Sequence, residues 1–165
     1  MIQTGDGAMR FSSKSEYGVR VLVSLGRQYG QGPVPLSEIA RSGHMPLPYL
    51  EQIMGTLRRH GLVVSRQGVK GGFELVRPPQ EVRMAEVVLA LEGGISPMLC
   101  AVGGRAGRVL CDLEGSCTSQ VLWQRIRDSI MAVLETTTLD ELIARPEPFR
   151  RREAGVGDDA VMAPT

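Results

Sequence analysis

LSEIARSGHMPLPYLEQIMGTLRRHGLVVSRQGVKGGFELV, residues 36–76, is the stretch that decides the fold. Within it Leu50, Ile53, Met54 and Leu57 recur at i, i+3, i+4 and i+7. On a helix that spacing gathers them into one apolar stripe within about 100° of arc. Pro48 suits the first turn, where its missing N–H costs no hydrogen bond, and Gly61 stops the helix. The face opposite the stripe is Pro48, Gln52, Gly55, Thr56 and Arg59, with Glu51 at its margin. Ahead of this helix, Leu36, Ile39 and Ala40 outline a shorter one that stops at Gly43. Behind it, VVSRQ (63–67) and GFELV (72–76), separated by Gly68, Val69, Lys70 and Gly71, read as a β-hairpin.

Working outward, Tyr17, Val21, Leu22 and Leu25 form a first helix, capped by Ser12 or Ser13 and closed by Gly30 and Gly32. Three helices and a hairpin make a winged helix-turn-helix. Past Pro78-Pro79, Met84, Val87, Val88 and Leu91 give another amphipathic helix ending at Gly93-Gly94. Residues 93–117 hold all three cysteines and little periodic apolar pattern, a long loop in need of an organising element. A long helix from about Thr118 to Glu135 follows, lined on one side by Leu122, Ile126, Ile130, Val133 and Leu134. Leu139, Leu142 and Ile143 close with a short helix. The expected class is mainly α: a winged helix-turn-helix DNA-binding domain plus a long dimerisation helix. The long amphipathic helix has little within so small a chain to bury against, so a second copy is its expected partner. The expected organisation is an N-terminal extension (1–8), the DNA-binding domain (9–80), a cysteine-bearing loop with dimerisation helices (81–145) and a disordered tail (146–165).

The 165-residue chain, 42% hydrophobic and 22% charged, has ordinary globular composition. Three Phe, three Tyr and one Trp are too few for a broad base-stacking platform. No run approaches the roughly 18 apolar residues of a membrane span, and MIQTGDGAMR lacks the apolar core of a signal peptide. The expectation is a cytoplasmic protein with no membrane partner. The net charge of +1 hides an asymmetry: residues 1–80 carry +5, residues 81–145 carry −3 and the remainder −1. A polyanion would therefore meet the first half. There, Gln52 can pair bidentately with adenine and Glu51 can accept from a cytosine amine. Tyr49 and Arg59 belong to the same helix. Arg66, Gln67 and Lys70 at the hairpin tip suit insertion beside phosphates or into a narrow minor groove. Solvated surface polarity is the plainer alternative for each of these. No Ser/His/Asp set, paired carboxylates or phosphate-binding glycine loop suggests an enzyme.

Cys100, Cys111 and Cys117 fit neither the paired Cys-x-x-Cys turns of a zinc ribbon nor a thioredoxin-type motif. Thiolates are soft ligands that suit iron–sulfur clusters or zinc, while a buried, incidental role stays open.

Several segments carry a family resemblance: MRFSSKSEYGVRVLVSL from Met9, PVPLSEIA from Pro33, YLEQIMGTLRRHGLV from Tyr49, GVKGGFEL from Gly68, LW at 122–123 and TTLDEL at 137–142. Together they resemble the Rrf-type family of winged-helix bacterial regulators, in its IscR- and NsrR-like, cluster-binding branch. The resemblance runs from Met9 to about Ala144, with residues 1–8 preceding the usual family start. It implies a homodimeric regulator, commonly a repressor, acting on double-stranded DNA at a pseudo-palindromic operator. Glu51 and Gln52 match the family's base-contacting positions. Pro48 stands where many members have a Ser that hydrogen-bonds to DNA, and Gln67 occupies the place of the usual wing arginine, with Arg66 beside it. The resemblance further implies an iron–sulfur cluster on Cys100, Cys111 and Cys117, a 2Fe-2S centre preferred to a 4Fe-4S one. Glu16 matches the position of a fourth, carboxylate ligand from the partner's first helix. Gln120 falls where some members place a ligating histidine, and Asp112 is a lesser candidate. The expected function is a regulator whose operator affinity follows iron–sulfur, redox or nitric oxide status. A cluster-free regulator with thiol-based or no sensing, and a small iron–sulfur carrier, are the alternatives.

Overall fold

The structure is a computed structural model that describes residues 11–68, 70–96 and 117–144. Its elements are α1 (Ser13–Arg27), α2 (Leu36–Gly43), α3 (Leu47–Arg59), β1 (Val63–Arg66), β2 (Gly72–Leu75), a 3-10 turn (Pro79–Glu81), α4 (Met84–Glu92), α5 (Gln120–Thr136) and α6 (Leu139–Ala144). The extension 1–8 and the tail 146–165 lie outside the described residues. So does most of the cysteine-bearing loop. No helix among the described residues is long and apolar enough to cross a membrane.

β1 and β2 pair antiparallel, with Val63 opposite Leu75 and Arg66 opposite Gly72. Val34, just ahead of α2, adds an antiparallel bridge to Phe73, with Val34 N donating to Phe73 O and Phe73 N donating to Val34 O, both at 2.9 Å. The hairpin is thus anchored to the segment that enters the helix-turn-helix.

The core is continuous across the expected domain boundary. Val21, Leu22 and Leu25 of α1 meet Leu50, Ile53, Met54 and Leu57 of α3, the hairpin's Val63 and Leu75, Val87 and Leu91 of α4, and Leu139 of α6. α1 lies at its centre. A Cβ added to Gly18 would meet Leu91 Cδ1 at 2.4 Å, and one added to Gly26 would meet Ile143 Cδ1 at 2.4 Å. Each glycine lets a C-terminal helix approach the α1 backbone. α6 is secured by a capping box, in which Glu141 Oε1 accepts from Thr138 N (3.2 Å) and Thr138 Oγ1 accepts from Glu141 N (3.4 Å).

α5 differs from the rest, for none of its residues is buried. Leu134 packs partly against the core, whereas Val121, Leu122 and Val133 are more than half exposed.

At the start of α1, Ser12 occupies the cap position, but its hydroxyl does not turn back onto the helix. Instead Glu92 Oε1, at the end of α4, accepts from Ser12 N (2.8 Å), Ser12 Oγ (2.8 Å) and Ser15 Oγ (2.5 Å). A carboxylate at a helix N-terminus also complements the helix dipole. Partial burial pushes the Glu92 carboxyl up, but the Ser15 and Ser12 hydrogen bonds and the Lys14 charge outweigh it, so its pKa lies below the ordinary 4.5. This contribution to stability is complete above that pH and is lost as pH falls through the depressed folded-state value. Glu92→Gln is therefore expected to lower stability at pH 7 and to flatten the acid limb of a urea-midpoint profile. An acid limb identical to the wild type would show that Glu92 does not clamp α1 to α4.

Candidate nucleic-acid interface and cysteine region

The turn between α2 and α3 is built around His44 rather than Gly43. His44 takes the left-handed conformation (φ 52°, ψ 44°), while Gly43 ends α2. Gly43 instead makes room: a Cβ there would meet Met45 Cε at 2.3 Å. Met45 is buried, and its N–H closes the turn onto Ala40 O at 2.9 Å. From α1, Arg20 Nη2 donates to Gly43 O at 3.0 Å, satisfying a carbonyl at the end of α2. The turn is thereby tied to the first helix.

On α3 the stripe Leu50, Ile53, Met54 and Leu57 is fully buried, and Glu51 and Gln52 are exposed side by side. Thr56 does not follow the helical period of its neighbours. Thr56, placed on the outer face by periodicity, is buried at 6% exposure, because its hydroxyl donates to Gln52 O (3.2 Å) and accepts from Arg59 Nη2 (3.1 Å). Arg59 is exposed, yet its guanidinium bends back along the helix, with Nη1 3.7 Å from the space a Cβ at Gly55 would fill. The outward face is consequently narrower than the sequence suggests.

Tyr49 is half-buried at the junction of α1 and α3. Its ring meets Tyr17 edge-on at 5.7 Å and 79°, and its hydroxyl lies 3.2 Å from Ser13 Oγ. Arg20 covers the Tyr17 ring at 5.9 Å. No periodicity argument reveals this three-residue contact, although the Tyr17–Arg20 spacing places both on one side of α1.

At the wing, Gln67 and Lys70 are exposed. Arg66 is exposed as well, but its Nε pairs with Glu74 Oε1 at 2.7 Å. Glu74 drew no attention in the sequence. The register that sets Val64 opposite Glu74 is what brings the two charges onto one face.

Cys100, Cys111 and Asp112 lie outside the described residues, and among those that are described no three His, Cys, Asp or Glu side chains gather as a metal site. Cys117 is described, immediately ahead of α5. Its Sγ is 3.0 Å from Ser119 Oγ. Hydrogen bonds from the Ser119 hydroxyl, the Ser119 backbone and the Gln120 backbone hold the thiol below its usual range. This favours the thiolate, the form that binds metal, so the donor chemistry at Cys117 fits a soft metal centre. Gln120 is the first residue of α5. Glu16 is exposed in the first turn of α1, 4.0 Å from Arg20 Nη1.

Residues 11–145 match the sequence model of the Rrf2 family, described as an iron-dependent transcriptional regulator. The regulator CymR of Bacillus subtilis is 37% identical over 134 residues, covering 81% of this chain and 89% of that one. The regulator IscR of Photorhabdus laumondii is 34% identical over 139 residues, covering 84% and 82%. The solved structure of B. subtilis CymR, described as the global cysteine regulator of that organism, superposes with a TM-score of 0.70 at 34% identity, over 85% of this chain and 100% of that one.

The wing's attachment is open to direct measurement. A Cβ at Gly72 would meet Val34 O at 2.3 Å and Val34 C at 2.4 Å, main-chain atoms that yield only if the bridge moves. Gly72→Ala is expected to cost about 1–3 kcal/mol as overpacking, read from the urea midpoint at constant m-value. An unchanged midpoint would mean that Val34 does not hold the hairpin.

Proposed function

The chain belongs to the Rrf2 family of transcriptional regulators, and from that premise we propose that it is a homodimeric repressor whose grip on a pseudo-palindromic operator is governed by an iron–sulfur cluster held by its three cysteines. The observation that carries this reading is the double tie from α1 to the reading helix: Tyr17 on Tyr49, and Arg20 on the Gly43 carbonyl. Glu16, the fourth-ligand candidate, sits one helical turn before Arg20 and is paired with it. A ligand drawn from this turn would be mechanically connected to the helix that carries Glu51 and Gln52.

In this reading Glu51, Gln52 and Arg59 address base edges and phosphates in the major groove, with Tyr49 setting the entry of α3. Arg66, Gln67 and Lys70 serve the wing. Cys100, Cys111, Cys117 and Glu16 hold the cluster, a 2Fe-2S centre preferred. When bound, such a cluster supplies a centre whose integrity answers to redox change or nitric oxide. The family description as iron-dependent and the thiolate-favouring surroundings of Cys117 support the assignment.

The long helix supports the second copy. Leu122, Ile126, Ile130 and Val133 share one side of α5, and the chain itself buries none of them. An apolar stripe of this kind marks an association surface. Two reading helices on one duplex face must sit roughly 34 Å apart, so a small rotation at this helix changes operator affinity steeply.

The likeness to a global cysteine regulator favours a second reading, in which the cysteines act as thiols without a cluster. Anaerobic purification with iron and sulfide assay separates the two. The expected result is a coloured protein that loses its chromophore in Cys111→Ala and differs between its loaded and stripped forms in operator affinity. A colourless, iron-free protein after reconstitution would leave the thiol reading. For the dimer, Leu122→Asp is expected to give a monomer by sedimentation and to weaken operator binding about 100-fold or more, since bivalent attachment is lost. A dimer that survives this substitution would place the interface elsewhere.

A further inference from the structure

Val64, Glu74, Arg66 and Gly72 share the outer side of the hairpin, because Val63 and Leu75, at the alternate positions, are buried in the core. Gly72 presents no side chain opposite Arg66. The guanidinium therefore leans along the diagonal to Glu74, its Nε 2.7 Å from Oε1. The two ends of the pair differ: Arg66 is 60% exposed, whereas Glu74 is 28% exposed and sits lower on the strand. Arg66 can leave, and the carboxylate stays.

An exposed pair of this kind adds little to folding stability. It does alter what the wing offers a polyanion. Non-specific affinity for a duplex comes from cations that neutralise phosphates and release counterions. A guanidinium already facing a carboxylate at 2.7 Å contributes little to that release, and a phosphate must displace Glu74 to claim it.

Resting on the DNA-binding reading above, we propose that Glu74 is a selectivity residue of the wing, holding Arg66 as a neutral pair on random duplex and releasing it only where the groove lets the wing seat. Glu74 touches no base in this scheme. It acts through Arg66, and it lowers affinity for the wrong DNA more than for the right DNA.

The test is a double-mutant cycle on the full chain, with a random-sequence duplex and a genomic fragment retained by the wild type as probes. Glu74→Gln is nearly isosteric and removes only the charge. It is expected to bind random duplex about 3- to 10-fold more tightly at low salt, to steepen the slope of log affinity against log salt by about 0.9, and to narrow the ratio between retained fragment and random duplex. Arg66→Gln should erase the gain, so that the double variant matches Arg66→Gln alone. Glu74→Ala gives the same comparison should the Gln variant fold poorly by circular dichroism. Unchanged slope and affinity in Glu74→Gln would overturn the proposal, as would a gain that persists without Arg66, which would reflect net charge alone. Failure of every variant and of the wild type to bind either duplex would overturn the DNA-binding reading and this proposal with it. Wild-type binding with no change in Glu74→Gln overturns this proposal only.

Discussion

The closeness of α4 and α6 to the backbone of α1 is the constraint on which the rest of the molecule depends. Gly18 admits Leu91 and Gly26 admits Ile143, two positions on one side of a single helix. A larger side chain at either would wedge a C-terminal helix away from the core, and interiors packed to crystal-like density have no slack to absorb it. Leu22 and Leu25, beside the two glycines, enter the shared core, and other sides of α1 reach the α2–α3 half through Tyr17 against Tyr49 and Arg20 on the Gly43 carbonyl. One helix therefore carries both the attachment of the C-terminal elements and the placement of α3. Glu92, from the end of α4, adds a polar clamp at its first turn.

This arrangement gives the proposed link between the cysteines and α3 a physical basis. The chain leaves α4 at Gly93, the residue after the Glu92 clamp, and is described as far as Ser96 and again from Cys117, just before α5. Of the two flanking helices, α4 packs on α1 through Leu91 and α5 reaches the core through Leu134. α1 in turn makes two contacts toward α3, one aromatic and one through the turn carbonyl. Both depend on contacts made within the first two turns of α1, the same turns that carry Glu16.

The elements whose burial follows simple periodicity were legible in the sequence. The α3 stripe Leu50, Ile53, Met54 and Leu57 is buried as its spacing requires, and the hairpin, α4, α5 and α6 fall within a residue or two of their expected bounds. Features decided by which particular side chains meet, within one helix or across elements, were not legible. Thr56 sits at the edge of the apolar arc, and its hydroxyl finds both a donor and an acceptor on its own helix, so it is buried despite its polarity. Gly43 does end α2, as its position suggests, but the left-handed turn conformation falls on His44, while the missing side chain at Gly43 makes room for Met45. Ser12 gives its hydroxyl to Glu92, eighty positions away, a partner no local rule identifies.

The charge of the first half is likewise redistributed by side-chain contacts. Its excess of +5 counts every cation equally, but the structure does not. Arg20 is bound to the Gly43 carbonyl, Arg59 to Thr56, Arg66 to Glu74 and Arg77 to Glu86. Each of these guanidiniums organises the domain before it can neutralise a phosphate. Affinity that depends on counterion release follows the cations a duplex can actually recruit, so formal charge overstates the non-specific grip of this domain. Selectivity benefits from that difference, because a cation held by an internal partner is surrendered only to a site whose geometry compensates for the lost contact. On the DNA-binding reading proposed above, the same residues that fix the turn and the wing limit how readily this surface adheres to DNA at large.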